Sequence, residues 1–339
     1  MRNIVERFNL VSNGALNLGG RTTFKQEFPL GEGIHALDLM FSFSVVIGTG
    51  AGPVIDGLYK AIRNIYMRTD KGEVLANCPG KFWYFMNLVK YRTPPRSTPV
   101  AAATATYKCK MVIPFIDSAT KNPNDTILDM SRYQSLLMEI NMGTIADLFT
   151  APGTATMTAT LDMDVIKTRG LLPDDENARP RYHIAYDQFA PVDASVTTKI
   201  DLDTVPDLGY KRLYLATTTS GVAGQPFFGT FADTVIASLS LKDQSSDIIR
   251  NVKWDQLQSD NALHYGWDVG VTSLTPNYPM LYPAGFLGLV VISFIGEAES
   301  LFSSLFSGDK ANLSLSWVNG TAPAASFVTL GYEAIRTLK

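Results

Sequence analysis

The sequence predicts an all-β protein made of two tandem antiparallel units of eight strands each, with short helices in the connections. Three observations support this fold class: strand-like alternation of apolar and polar residues, a repeat within the chain, and a linker between its halves. A length of 339 residues suits two domains of about 150 residues, each able to bury its own core.

Predicted strands dominate both halves of the chain. In Thr156–Ile166, apolar side chains occupy one parity while threonine and aspartate occupy the other, which is typical of a strand with one buried and one wet face. Strands in the first half are predicted near Phe24, Ile34, Tyr107, Tyr133 and Thr156. Strands in the second half are predicted near Tyr182, Lys211, Thr234, Gly285, Ala311 and Ser326.

A repeat relates the two halves. Asp56–Tyr91 aligns without a gap with Thr230–Tyr265, 36 residues in each copy, at a constant offset of 174. Each copy predicts a strand, a tight polar turn, a short strand and a helix, with Pro79 in the first turn of the first helix. Since missing a repeat would give the wrong architecture, this alignment is central to the predicted fold.

Two asparagine pairs mark the register of this repeat, and both are predicted to be helix caps. The pairs are Asn77 with Asn251 and Asn87 with Asn261. A second match, at an offset of 153, places Tyr133–Phe149 over Phe286–Phe302. The change of offset is interpreted as a length difference in the intervening loops, where insertions cost little.

The residues between the halves have the composition of a linker. Gly170–Tyr182 contains a glycine, two prolines and a charge cluster. We therefore predict an N-terminal arm at residues 1–20, a first domain at 21–170, a linker at 171–181 and a second domain at 182–339.

Two such units in one chain, each with a short helix after its early hairpin, resemble the double jelly-roll capsid proteins of tailless icosahedral viruses. This lineage includes the adenovirus hexon and the coat proteins of membrane-containing bacteriophages. The resemblance covers about Arg21 to Lys339 and rests on architecture and repeat, because the family has no diagnostic short motif. It implies two eight-stranded jelly-roll barrels in tandem and a structural major capsid protein without enzymatic activity.

The same resemblance implies partners and a location. A homotrimer would present a pseudo-hexagonal outline and tile an icosahedral shell, with vertex or minor capsid proteins and an internal lipid membrane as further contacts. Neighbouring capsomers would be the main partners. The protein would be made in the host cytoplasm and would reside in the virion.

The first twenty residues match neither copy of the repeat. Four apolar residues there would share one face of a short helix. They are Ile4, Val5, Phe8 and Val11. Because arms of this kind in the resembled family reach the membrane or a neighbouring subunit, these residues are the candidate contact site. The alternative is a frayed terminus.

Composition excludes several classes of function. Charged residues make up only 18% of the chain and apolar residues 46%, which leaves neutral surface for contacts between copies. With 29 basic and 32 acidic residues and no basic run, sequence-specific nucleic-acid binding is not expected. The apolar run Gly285–Ile295 is 11 residues long, short of the ~20 of a membrane-spanning helix. Glu6 and the lack of a long apolar run near it predict no signal peptide.

No arrangement of residues predicts catalysis, a cofactor or a metal ion. The three histidines, His35, His183 and His264, have no second ligand at metal spacing. Cys78 and Cys109 lack the spacing of a zinc site and are predicted to be buried thiols. Both observations favour structural roles.

Four further patterns are also interpreted structurally. The glycines of Gly48–Pro53 turn the chain, and the acidic run Asp174–Glu176 is a solvated linker. The aromatic run Phe82–Phe85 packs a helix over a barrel or forms a contact between subunits. Asp162 and Asp164 share the polar face of one strand, where calcium binding is a minor alternative.

Two other functions stay open at the level of the sequence. A two-domain jelly-roll protein that binds or processes glycans would need convergent acids and exposed tryptophans at a barrel mouth. Trp83 and Trp254 belong to the repeat, and Trp267 and Trp317 have no acidic pair beside them. A minor structural protein of the virion is not distinguished from the major one.

Overall fold

The protein is described by a computed structural model, and its chain divides into two compact units. The first consists chiefly of Met1–Ala185 and the second chiefly of the chain that follows. The residues that the structure describes are 5–28, 32–49, 52–54, 57–91, 97–98, 100–116, 127–130, 133–169, 181–186, 190–194, 196–202, 208–219, 230–243, 246–265, 288–294, 313–321 and 325–338. The predicted linker at 171–181 lies outside them except for its last residue.

The described part of the first unit contains nine strands and three helices. They are β1 (Val5–Leu16), β2 (Arg21–Glu27), β3 (Glu32–Val46), α1 (Gly57–Ala61), β4 (Ile62–Thr69), β5 (Val74–Cys78), α2 (Gly80–Tyr91), β6 (Ala105–Pro114), β7 (Leu128–Asp129), β8 (Ser135–Met142), α3 (Ile145–Leu148) and β9 (Thr156–Arg169).

The described residues from Arg181 onward contain ten strands and one helix. They are β10 (Arg181–Tyr186), β11 (Ala190–Asp193), β12 (Lys199–Asp201), β13 (Leu208–Thr219), β14 (Thr230–Phe231), β15 (Ile236–Asp243), β16 (Ser246–Lys253), α4 (Trp254–Tyr265), β17 (Leu289–Ser293), β18 (Leu313–Asn319) and β19 (Phe327–Leu338).

Both units have the same sheet topology. In the first unit one sheet has the order β1-β9-β3-β6 and the other β2-β8-β4-β5. In the second unit β19 lies between β11 and β13, β17 pairs with β13, and the other sheet has the order β12-β18-β15-β16. Counted along each unit, the eight main strands have the order 1-8-3-6 in one sheet and 2-7-4-5 in the other. This double Greek key is a jelly roll, so the predicted fold class is confirmed.

The repeat at an offset of 174 is confirmed by the structure. β4 and β15 begin and end at equivalent residues, and so do α2 and α4. Local chemistry explains the shared hairpin and helix start in the first copy. Gly72 has a φ of +84°, which the tight turn after β4 requires, and the Pro79 carbonyl accepts the backbone N–H groups of Phe82 and Trp83 at the start of α2.

The second match, at an offset of 153, is wrong. It places Tyr133–Phe149 over Phe286–Phe302. However, β8 pairs with β2 and β4, whereas β17 pairs with β13, in the sheet that corresponds to the other sheet of the first unit. The topology makes β17 the counterpart of β6 and β18 the counterpart of β8. Short apolar runs resemble one another in any buried strand, so they do not identify a strand's place in the fold.

The asparagine pairs do not cap helices, so that prediction is also wrong. Asn87 and Asn261 lie inside α2 and α4, whereas the other pair lies in β5 and β16. The Asn77 Oδ1 accepts a hydrogen bond from the Asn64 Nδ2 at 2.7 Å, and the Asn251 Oδ1 lies 2.5 Å from the Oγ of Ser238, at the position equivalent to Asn64. The repeat therefore preserves cross-strand contacts.

Each unit buries its own apolar core between its two sheets. The core of the second unit includes Leu213, Leu239 and Leu315, all fully buried. In the first unit α2 is buried from Gly80 to Val89, which includes the aromatic run expected to pack there. The thiols of Cys78 and Cys109 are buried, as predicted, and burial raises the pKa of Cys109. Each large side chain so buried stabilises the fold by about 1.5–3 kcal/mol.

A β-bulge occurs at the same place in both units. The register of β3 against β9 shifts at His35, and that of β13 against β19 shifts at Lys211. The His35 carbonyl accepts the N–H of Phe115 at 2.8 Å, and the Lys211 carbonyl accepts the N–H of Phe294 at 3.0 Å. The bulge occurs at equivalent places although the bulged residue is a histidine in one unit and a lysine in the other. The bulge is therefore a property of the backbone fold and not of one side chain.

The side chains at the two bulges meet different partners. His35 is hydrogen-bonded to the Oγ1 of Thr168, and burial lowers the pKa of its imidazole. Lys211 is completely buried, and its Nζ lies 2.5 Å from the Oε1 of Glu333. The other carboxylate oxygen of Glu333 accepts hydrogen bonds from Arg212 and from the hydroxyl of Tyr214, each at 3.0 Å. One carboxylate thus accepts from two buried donors, Lys211 and Tyr214, and from the half-buried Arg212.

We predict that Glu333→Leu lowers the free energy of unfolding of the second unit by roughly 3–5 kcal/mol, because it removes the carboxylate that faces the buried ammonium group of Lys211. The control Lys199→Met removes the exposed Lys199–Asp201 pair and is expected to cost about 1 kcal/mol or less. Urea unfolding of both variants measures the difference. Equal effects of the two substitutions would show that the Glu333 cluster does not stabilise the unit.

Candidate contact site at the N-terminal strand

The predicted N-terminal arm forms a strand of the first unit. β1 runs antiparallel to β9 from the Val5–Thr168 pair to the Leu16–Ala159 pair. The helix expected at these residues is therefore wrong, because backbone pairing with the edge of β9 overrides the helical spacing of the apolar side chains. Ile4 lies outside the described residues. A strand also alternates its side chains, so Val5 and Phe8 point to opposite faces instead of sharing one.

Phe8 is the most distinctive apolar residue of this strand. It is 58% exposed, as is Val5. The Nζ of Lys167 lies 5.6 Å from the centroid of the Phe8 ring, and the same ammonium group lies 2.6 Å from the Oε1 of Glu32. Val11 is half-buried opposite Met163. Thus the structure leaves Phe8 and Val5 available for contact, on different faces of β1.

An ion-pair network fastens β1 to the rest of its sheet. The guanidinium of Arg7 lies 2.8 Å from the Oδ2 of Asp38 in β3 and 2.7 Å from the Oδ2 of Asp164 in β9. Lys110 in β6 contacts the same oxygen of Asp38 at 2.8 Å, and Asn9 donates to the Oδ1 of Asp164 at 2.8 Å. Side chains from all four main strands of the sheet are joined in this way.

The network depends on ionised carboxylates. Burial by itself would raise the pKa of Asp164, but hydrogen bonds from Asn9 and Arg7, together with the charges of Arg7 and Lys110, lower it below its usual value. Asp162 accepts the backbone N–H of Asn13 at 2.7 Å. The two aspartates considered for calcium are therefore engaged by groups of the protein itself.

β1 is the edge strand of its sheet and is irregular. Its register against β9 shifts between Asn9 and Val11 and again between Val11 and Gly14, and Asn13 has a φ of 50°. Bulges of this kind twist an edge and make it a poor template for a further strand. Any contact made by β1 would then use side chains such as Phe8 more than backbone pairing.

Sequence reasoning identified the apolar residues of β1 but missed the charges that hold it. Arg7, Asp38 and Lys110 belong to strands far apart in the chain, so no local spacing relates them. The one feature of the sequence that could have indicated this network was Asp38, an acidic residue within a long apolar strand. A buried carboxylate of this kind requires a partner.

Among the residues that the structure describes, the others singled out in the sequence do not form a catalytic arrangement. Trp83, Trp254 and Trp317 are buried, and His264 is exposed. Trp267 and Asp174–Glu176 lie outside the described residues, as does the side chain of His183. Within the part of the chain that the structure describes, no three His, Cys, Asp or Glu residues are grouped to hold a metal ion.

Helices of the length and apolar character needed to cross a bilayer do not occur among the described residues. The apolar run Gly285–Ile295 forms the buried strand β17 where it is described, in agreement with its predicted role as a strand.

These features define the class of the protein as a double jelly-roll protein, in which one chain carries the same barrel twice. No protein-family model and no curated protein matches the sequence. Solved structures match over nearly the whole chain, and they include double jelly-roll major capsid proteins.

The similarity lies in the fold. A chain of the atomic structure of Sulfolobus turreted icosahedral virus aligns with a TM-score of 0.67 at 15% identity, covering 98% of this chain and 91% of that one. The major capsid protein P2 from bacteriophage PM2 aligns with a TM-score of 0.58 at 12% identity, covering 99% and 98%. The Faustovirus major capsid protein has a TM-score of 0.58 at 8% identity, covering 99% and 91%.

The lowered pKa of Asp164 predicts that β1 loosens in acid. A carboxylate with a depressed pKa in the folded state stabilises that state above its unfolded pKa of about 3.9, and the effect is lost as the pH falls through the folded value. Hydrogen exchange of residues 5–16 should therefore lose protection below about pH 4.

Two variants test this expectation. Asp164→Asn should weaken the protection of β1 at neutral pH and remove most of its pH dependence, whereas the control Glu139→Gln breaks the Arg21–Glu139 pair of the other sheet and should leave β1 unchanged. An identical pH profile for Asp164→Asn and the unsubstituted chain would contradict the role given to this carboxylate.

Proposed function

We propose that the protein is the structural major capsid protein of a tailless icosahedral virus. The single observation that carries this proposal is that one chain contains two jelly rolls of identical strand order. The major capsid proteins of bacteriophage PM2 and Faustovirus align with this chain over nearly its whole length. Solved structures that are similar to the chain include virus major capsid proteins.

The proposed assembly unit is a homotrimer. Three copies of a chain with two similar barrels present six barrels, which suits the hexagonal tiling of an icosahedral facet. The low proportion of charged residues, 18%, supports extensive contact between copies, since charged residues are depleted at the centres of interfaces. Neighbouring capsomers and vertex or minor capsid proteins are the proposed partners, and the virion is the proposed location.

We further propose that the exposed apolar side chains of β1 contact an internal membrane or a neighbouring subunit. Phe8 carries this proposal, because a phenylalanine that is 58% exposed beside an ion pair has apolar area left to bury. Of the four residues predicted from the sequence, Val5 and Val11 are secondary, and Ile4 lies outside the described residues.

A glycan-binding or glycan-processing function is less well supported. Such a site would use exposed tryptophans beside acidic pairs, and three of the four tryptophans are buried. The described residues therefore favour the structural function over the enzymatic one.

The decisive measurement for the capsid proposal is mass and shape in solution. We expect the purified chain to form a trimer, with three times the 37.1 kDa mass of the chain and a hexagonal outline in electron micrographs. Mass photometry and negative-stain imaging measure both properties. A chain that stays monomeric at high concentration and binds or cleaves oligosaccharides would replace the capsid proposal with the glycan one.

The contact proposed for Phe8 is tested by Phe8→Ser. Burial of a phenylalanine is worth about 1.5–3 kcal/mol, so we expect a loss of roughly tenfold or more in the interaction that uses it. The control is Val46→Ser, a residue of the same unit with the same 58% exposure.

Two assays distinguish the two partners. Flotation with phosphatidylglycerol and phosphatidylcholine vesicles reports on a membrane contact, and sedimentation of assembled particles reports on a contact with a neighbouring subunit. If Phe8→Ser behaves like Val46→Ser in both assays, β1 makes neither contact.

A further inference from the structure

An asparagine inside each long helix bonds to a strand in the same way in both units. In the first unit the Asn87 Nδ2 donates to the carbonyl of Val112 at 2.7 Å, and the Val112 N–H donates to the Asn87 Oδ1 at 2.7 Å. In the second unit the Asn261 Nδ2 donates to the carbonyl of Val291 at 2.8 Å, and the Val291 N–H donates to the Asn261 Oδ1 at 2.6 Å. The side-chain amide thus takes the place of a residue on a neighbouring strand.

The bonded valines belong to strands at the end of their sheets. β6 is the last strand of the order β1-β9-β3-β6, and β17 pairs with β13 alone among the described strands. In an antiparallel strand both polar backbone groups of a residue point to the same side, so Val112 and Val291 direct theirs away from β3 and β13. These groups are the ones that an incoming strand would use.

Two other outward positions of β6, at Lys108 and Pro114, also offer an incoming strand little to pair with. The carbonyl of Lys108 accepts the N–H of Thr98 at 2.7 Å, and the N–H of Lys108 donates to the Oγ1 of Thr98 at 3.2 Å. Pro114 has no N–H to offer. Thr98, Asn87 and Pro114 thus block pairing at three of the outward positions of β6.

The helices differ in almost everything else. α2 is buried along Gly80–Val89, whereas only four residues of α4 are buried: Trp254, Gln258, Ala262 and Tyr265. Their sequences share the asparagine at the same position and little more. The asparagine is present in both of these different environments and makes the same two hydrogen bonds in each. This indicates that the edge strand, and not the helix surface, requires an asparagine at this position.

We infer that Asn87 and Asn261 close the outer edges of β6 and β17 and thereby prevent these edges from adding a strand of a second copy of the chain. The closure restricts association between copies to side-chain surfaces. This inference goes beyond the proposed capsid function and does not depend on it, because it concerns the purified chain alone.

The variants Asn87→Asp and Asn261→Asp test the closure with almost no change of shape. A carboxylate has no hydrogen to donate to the valine carbonyl, whereas a protonated carboxyl offers one donor and one acceptor, which are the two functions that the amide performs here. Near neutral pH we expect the amide of the bonded valine to exchange about tenfold faster than in the unsubstituted chain. We also expect concentration-dependent association in analytical ultracentrifugation.

Acidification should reverse both effects. The introduced carboxylate would face the valine carbonyl oxygen, so the pKa of the introduced aspartate is expected to lie above its usual value of about 3.9. The defect is present above that raised pKa and is lost as the pH falls below it. Each variant is compared with the unsubstituted chain at the same pH, which removes the intrinsic pH dependence of exchange.

The control is Asn64→Ser, which introduces into β4 the residue found at the equivalent position, Ser238, of the second unit. It should leave valine exchange and association unchanged.

Faster exchange without association would overturn the closure of the edge. Exchange ratios that do not return toward one in acid would overturn the donor and acceptor roles of the asparagines. A variant that folds only in acid supports those roles, and one that folds at neither pH contradicts them.

Discussion

The insertion of the last strand of each unit between its first and third strands is the interaction on which the rest of the structure depends. β9 pairs with β3 along its length, from Glu32–Arg169 to Val46–Thr156, and with β1 on its other side. β19 occupies the same place between β11 and β13. These pairings join residues from opposite ends of a unit, so they bring the two sheets into register and enclose the core.

Most polar features of the fold follow from this insertion. The bulges at His35 and Lys211 lie where β3 and β13 meet the inserted strands, and the Lys211–Glu333 pair is formed across one of those junctions. The network of Arg7, Asp38 and Asp164 crosses the same place in the first unit. Buried charge is tolerated there because each carboxylate receives several donors.

The two units show what a repeated barrel must keep and what it can change. The strand order, the bulge and the asparagine bonded to an edge valine are kept, because each one satisfies backbone groups that would otherwise be exposed or buried without partners. The side chains around them have diverged. His35 is hydrogen-bonded to a threonine, whereas its counterpart Lys211 lies against a carboxylate.

The sequence by itself determined the class of the fold and the register of the repeat, because strand alternation and the hairpin at 62–78 are local properties that its residues express directly. The tertiary structure decided the rest. Residues 5–16 have helical spacing but form a strand, since the open edge of β9 offers backbone pairing that an isolated helix lacks. The roles of Asn87 and Asn261, and the partners of Asp38, likewise depend on strands distant in the chain, which no local pattern encodes.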